Sequence, residues 1–228
     1  MKVVILAGGY GTRLAEYTKI IPKPMVKIKK LPIIIYIIKH YKRYGFKDFI
    51  IASGYKGKFI KDFFKKNKFG VNIEVVDTGL KTMTGGRVKR LKKKINNQAF
   101  LLTYGDGVSD VNLSKLVTFH KKHKFLCTLT AVRPPARFGA IKVVGNKINY
   151  FKEKSKIDEG WINGGFFVFE PSIFKYIKSD KTFLEKEPLE ILSKKNKLGA
   201  FKHDGYWQCM DTIRDKEILE KTIKFFTS

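Results

Sequence analysis

The first hydrophobic run of the chain ends in glycines, and that junction constrains the fold more than any other stretch. Val3–Leu6 is apolar and partly β-branched, which reads as a short buried strand, and past Ala7 it empties into Gly8-Gly9-Tyr10-Gly11-Thr12-Arg13. Glycines here let the backbone come close to a ligand and aim its N–H groups at an anion. Leu6, Ala7, Gly8, Gly9, Gly11 and Thr12 are therefore candidate contacts for a phosphorylated ligand. Two standard glycine loops are excluded. No Gly-Lys-Ser/Thr ending follows, and Leu14 stands where a dinucleotide fingerprint requires its third glycine. Instead Arg13 comes next and Lys23 follows between Pro22 and Pro24, so two cations and a backbone nest form a clamp suited to a triphosphate.

Downstream, helical and strand periodicities alternate. Ile33, Ile34, Ile37, Ile38 and Tyr41 mark a helix stopped by Gly45; Phe49–Ala52 reads as a strand, Phe59–Phe64 as a short helix and Val71–Val76 as a strand. A basic amphipathic helix through Val88, Leu91 and Ile95 precedes the strand Phe100–Tyr104, and a helix through Leu113, Leu116, Val117 and His120 precedes the strand Leu126–Val132. This order predicts an α/β fold: a three-layer, Rossmann-like arrangement with a mixed, mainly parallel sheet flanked by helices. Ligands in such folds collect beyond the carboxyl ends of the strands. Past Pro134 the rhythm shortens to Ala140–Val144, Ile148–Phe151 and Phe166–Phe169, expected to extend the same sheet. The chain closes on a helix, Thr212–Phe226, whose Thr212 and Asp215 resemble a capping box.

The formal charge of +27 arises from 47 basic and 20 acidic residues. Forty of the basic residues are lysines, spread over almost every segment, and only seven are arginines. A nucleic-acid reader concentrates charge on one face and favours arginine forks, so the balance describes a solvated lysine-rich surface whose field attracts polyanions. The length and a 43% hydrophobic content suit one globular domain, residues 1–228. No apolar run is long enough to span a membrane, and Val3–Ala7 is too short for a signal sequence. Cys127 and Cys209 have no metal-ligand spacing, which suits a reducing cytoplasm. His40, His120, His123 and His203 show no ligand spacing either and are expected on helix faces or the surface. Trp207 suits a pocket wall or the core, and Phe63-Phe64 and Phe166-Phe167 read as packing.

Asp106, on the sharp turn Gly105-Asp106-Gly107 just past a strand, brings a carboxylate to the mouth of the expected cleft; Asp211 is the second candidate. Mg²⁺ needs only one or two carboxylates besides phosphate oxygens and water, so the pair suffices for a metal. The structural alternative makes Asp106 a turn residue and Asp211 a helix cap.

Leu6–Leu14 (LAGGYGTRL) followed by Pro22–Met25 (PKPM) resembles the sugar nucleotidyltransferase family. Gly54–Gly57 (GYKG), Val76–Gly79 (VDTG), Met83–Arg87 (MTGGR), Thr103–Gly107 (TYGDG), Arg137–Ala140 (RFGA), Ile162–Val168 (INGGFFV), Glu187–Leu189 (EPL) and Trp207–Thr212 (WQCMDT) are similar to its glucose-1-phosphate cytidylyltransferase branch. The resemblance covers nearly the whole chain. It implies the nucleotide-diphospho-sugar transferase fold, with residues 1–133 mainly on the nucleotide side and 134–228 mainly on the sugar-phosphate side. It implies CTP and glucose 1-phosphate as substrates and CDP-glucose as product, feeding surface polysaccharides such as lipopolysaccharide O-antigen. The metal is then Mg²⁺ on Asp106 and Asp211. Arg13 and Lys23 serve catalysis on the phosphates, while Thr82, Arg87 and Gly105 serve the nucleotide. Lys154, Asn163 and Gly164 serve the sugar phosphate. No protein nucleophile is expected, because the sugar phosphate is itself the nucleophile.

Two departures stand out. Ser155 follows Glu153-Lys154 where the family has proline, and only Lys65–Gly70 bridges Phe64 and Val71, where that branch carries an additional segment. In the family that segment contributes to subunit contacts and the nucleotide rim; a homo-oligomer is still expected. Three other readings compete: the same reaction with another nucleotide or sugar phosphate, a non-catalytic sugar-nucleotide binder, and a basic nucleic-acid-binding protein. The last gives no role to paired Asp106 and Asp211, and a mere binder has no need of them.

Overall fold

A computed structural model describes residues 1–134, 140–152 and 160–223. Its centre is a seven-stranded sheet: β1 Val3–Ala7, β2 Asp48–Ser53, β3 Asn72–Asp77, β4 Phe100–Tyr104, β5 Cys127–Val132, β6 Ile162–Phe169 and β7 Leu198–His203. Their spatial order is β7-β5-β6-β4-β1-β2-β3, and only β6 runs antiparallel to its neighbours. The α/β architecture read from the sequence is therefore present.

β1 shows why its run is apolar without alternation. Val3, Ile5 and Ala7 enter one core, with Ile34, Ile37 and Tyr41 of the helix Ile33–Arg43. Val4 and Leu6 enter a second core on the opposite face, with Val88, Leu91, Leu189 and Leu192. Successive side chains of a strand point to opposite faces, so a sheet covered on both sides needs hydrophobic residues at every position.

Several sequence expectations are corrected. The single basic helix through Val88–Ile95 is two, Thr84–Arg90 and Lys92–Ile95, separated at Leu91, whose ψ of 0° departs from the helix. Among the described residues Ala140–Val144 and Lys147–Lys152 do not extend the main sheet; they pair with each other as an antiparallel hairpin. The last helix is described over Ile213–Thr222, and the expected stretch to Phe226 reaches beyond the described residues. His40 and His120 lie on helices but are buried. His40 donates Nε2–H to the carbonyl of Val111 at 3.0 Å, and burial pulls its pKa down to about 4, so it is neutral. His120 joins its helix to the sheet through Thr128 at 2.8 Å and Glu170 at 3.2 Å. Phe63 and Phe64 pack with Phe69, which closes the short bridge after the helix Gly57–Lys66.

Candidate active site

β1 and β4 are neighbours, yet the chain leaves β1 toward β2 on one side and leaves β4 toward β5 on the other. Such a reversal opens a crevice beyond the carboxyl ends of the strands. A cavity of about 550 Å³ lies there, bounded by the glycine loop after β1 and by Gly105 and Asp106 after β4. Gly105 N–H donates to the carbonyl of Leu6 at 2.9 Å, which ties the two strand ends together.

The glycine loop keeps its shape for two reasons. Gly11 has φ +66°, a left-handed conformation that ordinary side chains disfavour, and it precedes the short 3₁₀ turn Thr12–Leu14. Gly8 is small because Arg87 runs beneath it, and a Cβ there would collide with the guanidinium. Arg87 is buried. It donates to the carbonyls of Gly8 at 2.9 Å, Ser53 at 3.1 Å and Gly79 at 2.8 Å, and to Thr78 Oγ1 at 2.8 Å. It thus fastens the carboxyl ends of β1, β2 and β3. Arg87, given to the nucleotide on sequence grounds, also lines the cavity, and these four bonds fix its guanidinium there.

Lys23 enters from a second 3₁₀ turn, Lys23–Met25, whose flanking prolines restrict the backbone. Its Nζ lies 2.6 Å from Asp106 Oδ2 and 2.6 Å from Asp211 Oδ1. Arg13, whose side chain is 73% exposed, reaches Asp211 Oδ2 at 2.8 Å. Residues distant in sequence meet because Trp207–Cys209 pairs antiparallel with Gly107–Ser109, and Met210 N–H donates to the carbonyl of Asp106 at 2.9 Å. The strand pair sets Asp211 beside Asp106. Burial alone would lower the pKa of Lys23, but Asp106 and Asp211 outweigh it and hold it above the ordinary value. For Asp211, burial works upward, and the bonds from Lys23 and Arg13 hold the carboxyl below its usual range.

Asp211 is not the helix cap. Thr212 is, in a capping box with Asp215, so the Asp211 side chain is directed to Lys23 and Arg13. Oxygens of Asp106 and Asp211 converge on one ammonium nitrogen, and a hard cation seeks an all-oxygen donor set of this kind. Among the described residues no group of three or more His, Cys, Asp or Glu could hold a metal ion. Two carboxylates suffice for a hard divalent cation that takes its remaining ligands from water and phosphate. Burial, Asp211 and Asp106 push the nearby Cys209 thiol up to about 12, so no thiolate forms here near neutral pH.

Leu6, Ala7, Gly8, Gly9, Gly11, Thr12, Thr82 and Asn163 also line the cavity. Gly164 serves differently: its carbonyl accepts Trp207 Nε1–H at 2.7 Å and so holds the indole against the cavity. Lys154, with Glu153 and Ser155, lies outside the described residues. The sequence reading missed the aromatic walls Tyr10, Tyr104 and Phe183, whose types signal core or loop as readily as a pocket.

Residues 2–215 match the nucleotidyl transferase family. The chain is 46% identical to the glucose-1-phosphate cytidylyltransferases of Salmonella typhi and Salmonella typhimurium, over 96% of this chain and 95% of each relative. In three dimensions it is similar to the inositol-1-phosphate CTP transferase of T. maritima, with a TM-score of 0.73 and 17% identity over 98% of this chain and 96% of that one, a likeness of fold. No described helix is long and apolar enough to cross a membrane. With the glycine loop, the paired aspartates and the strand order all in place, the chain belongs to the nucleotidyl transferase family and is a nucleotidyltransferase.

Proposed function

We propose that the chain makes CDP-glucose and pyrophosphate from CTP and glucose 1-phosphate. The observation that carries the reaction is the convergence of Lys23, Asp106 and Asp211 at 2.6 Å beside the glycine loop. The choice of substrates is supported by the 46% identity to the Salmonella enzymes, whose name specifies both a cytidylyl group and glucose 1-phosphate.

In this reaction a phosphate oxygen of the sugar forms a bond to the α-phosphorus of CTP as the bond to the β-phosphate oxygen breaks. Pyrophosphate leaves with that electron pair. The attacking phosphate is already largely ionised, its second pKa being about 6, so no side chain has to remove a proton. The protein's part is positioning and charge neutralisation. Backbone N–H groups of residues 8–12 and the exposed Arg13 receive the departing phosphates, and Lys23 stabilises the α-phosphate. Asp106 and Asp211 would hold Mg²⁺, which when bound neutralises charge on the phosphate oxygens. Without it, the Lys23 ammonium separates the two carboxylates and keeps them in place.

Thr82 and Gly105 form the nucleotide wall, and Arg87 supports that wall from below. Asn163 faces the sugar, with Lys154 assigned to its phosphate on sequence grounds. Residues 1–133 then supply mainly the nucleotide side, and 134–228 mainly the sugar side, of one domain. A cytoplasmic homo-oligomer serving surface-polysaccharide synthesis completes the reading, again on sequence grounds.

The test is pyrophosphate release with Mg²⁺, glucose 1-phosphate and each of CTP, dTTP, UTP, GTP and ATP. Release is expected with CTP and should fall about a hundred-fold or more in Asp106→Ala, the scale of losing one group that stabilises the transferring phosphoryl. Preference for another nucleotide would move the substrate and keep the mechanism. No release from folded protein with any nucleotide would overturn the glucose 1-phosphate assignment.

A further inference from the structure

Residues 179–185 lie as a strap across the amino-terminal end of the helix Thr84–Arg90. Met83 N–H donates to the carbonyl of Asp180 at 2.8 Å, Gly86 N–H donates to that of Thr182 at 3.2 Å, and Arg90 pairs with Asp180 at 2.6 Å. The approach depends on two glycines. A Cβ on Gly85 would lie 2.8 Å from the Thr182 carbonyl oxygen, and one on Gly86 would run into the backbone of Asp180. The glycine pair within Met83–Arg87 therefore makes room for the strap, which carries Glu185 to the back of the cleft.

Each oxygen of the Glu185 carboxylate has its own donor. Oε1 accepts the Tyr104 hydroxyl at 2.8 Å, and Oε2 accepts the Thr84 hydroxyl at 2.6 Å. The Thr84 oxygen in turn accepts Leu184 N–H at 2.9 Å. On the far side, Asn163 donates Nδ2–H to the Tyr104 oxygen at 3.3 Å, while its own Oδ1 accepts Gly165 N–H at 2.9 Å. Thr84, Tyr104 and Asn163 all line the cavity, so one chain of hydrogen bonds runs behind it from the nucleotide wall to the sugar wall. The chain fixes polarity as well as position. The Tyr104 proton is committed to Glu185 and one oxygen lone pair to Asn163, which leaves a single acceptor lone pair. Asn163 directs one N–H to Tyr104 and keeps the other N–H, with one lone pair of its oxygen taken by Gly165.

We infer that Glu185 is a positioning residue for the sugar half of the site, fixing Tyr104 as an acceptor and, through it, Asn163 as a donor toward hydroxyls of the sugar 1-phosphate. The inference rests on the reaction proposed above.

The alternative is that Glu185 merely staples the strap. Steady-state kinetics of Glu185→Gln, Tyr104→Phe and the double variant, with Tm measured on each, separates the two. Each single change is expected to raise KM for glucose 1-phosphate about ten-fold, the loss of about one hydrogen bond, with KM for the nucleotide and kcat within about two-fold. The double variant should be no worse than the poorer single, because both changes act through one hydroxyl. A lowered Tm with both KM values unchanged, equal rises in both KM values, or additive effects would overturn the inference. Tyr104→Phe leaves the strap's backbone bonds in place and keeps the test decisive should Glu185→Gln not fold: an unchanged sugar KM in that variant also overturns it. A wild-type enzyme that accepts no sugar 1-phosphate overturns the underlying reaction instead, and the two failures are told apart by the wild type alone.

Discussion

Lys23 holds its charge between two carboxylates rather than in solvent. Its side chain is 11% exposed, and it separates two carboxylates that would otherwise face each other. Replacing it with methionine should destabilise the fold by about 2 kcal/mol at pH 7, since the hydrogen bonds lost are to charged groups. The pH dependence has a definite sign. Asp211 is held below its ordinary 3.8, so its contribution is full above that value and disappears as pH falls through the lower folded pKa. Lys23 is held above 10.5, so the same interaction is full below that value and disappears as pH rises through the higher folded pKa. Urea denaturation of wild type and Lys23→Met should therefore show a constant gap between about pH 5 and pH 9 that narrows toward both extremes. A gap that widens in acid would mean that the two carboxylates do not depend on this ammonium. Mg²⁺ should raise the Tm of Lys23→Met more than that of wild type, because in wild type the metal has to displace a resident cation.

Among the elements, the turn into the helix Ile213–Thr222 matters most for chemistry. Asp215 Oδ2 accepts Thr212 N–H at 2.9 Å and Asp211 N–H at 3.1 Å, so the capping-box partner of Thr212 also holds the backbone of the candidate metal ligand. Asp215→Ala is expected to cost about 1–2 kcal/mol as a lost cap. It should also lower kcat/KM about ten-fold, the scale of one misplaced interaction. Thr212→Ala removes the cap from the other side and should cost similar stability with a smaller loss of activity. Equal losses of activity would show that Asp215 acts on the helix alone. This box was legible in the sequence, because a cap is a local pattern. So were β1, the glycine loop and Asp106, each of which announces itself within a few residues. β7 was not: Leu198–His203 is a mixed polar run at the sheet edge, with half-buried and exposed positions that show no clean period. Nor was Glu185, which sits in a charged stretch where any carboxylate reads as solvated and whose partner Thr84 lies 101 residues away. Arg87 was legible as important but not for its bonds, since four acceptors from three strand ends meet only in the folded chain.

For the whole molecule, the formal charge of +27 has two physical readings that an ionic-strength series distinguishes. If the lysines only solvate the surface, salt should leave the reaction nearly untouched. If their summed field draws anionic substrates toward the strand ends, kcat/KM should fall as salt shortens the Debye length from about 8 Å at 0.15 M to about 3 Å at 1 M. The site argues for the second outcome. Arg13 is largely exposed at the mouth, whereas Lys23 is already neutralised by two carboxylates, so much of the attraction at long range has to come from the surface. The expected result is a drop of about ten-fold in kcat/KM across that range, carried by KM for both substrates, with kcat changed less than about two-fold. The division matters, because contacts made within the crevice are screened far less than a field acting across solvent. A fall in kcat of the same size would place the screened interaction inside the site, on Arg13 and Lys23, rather than on the surface lysines.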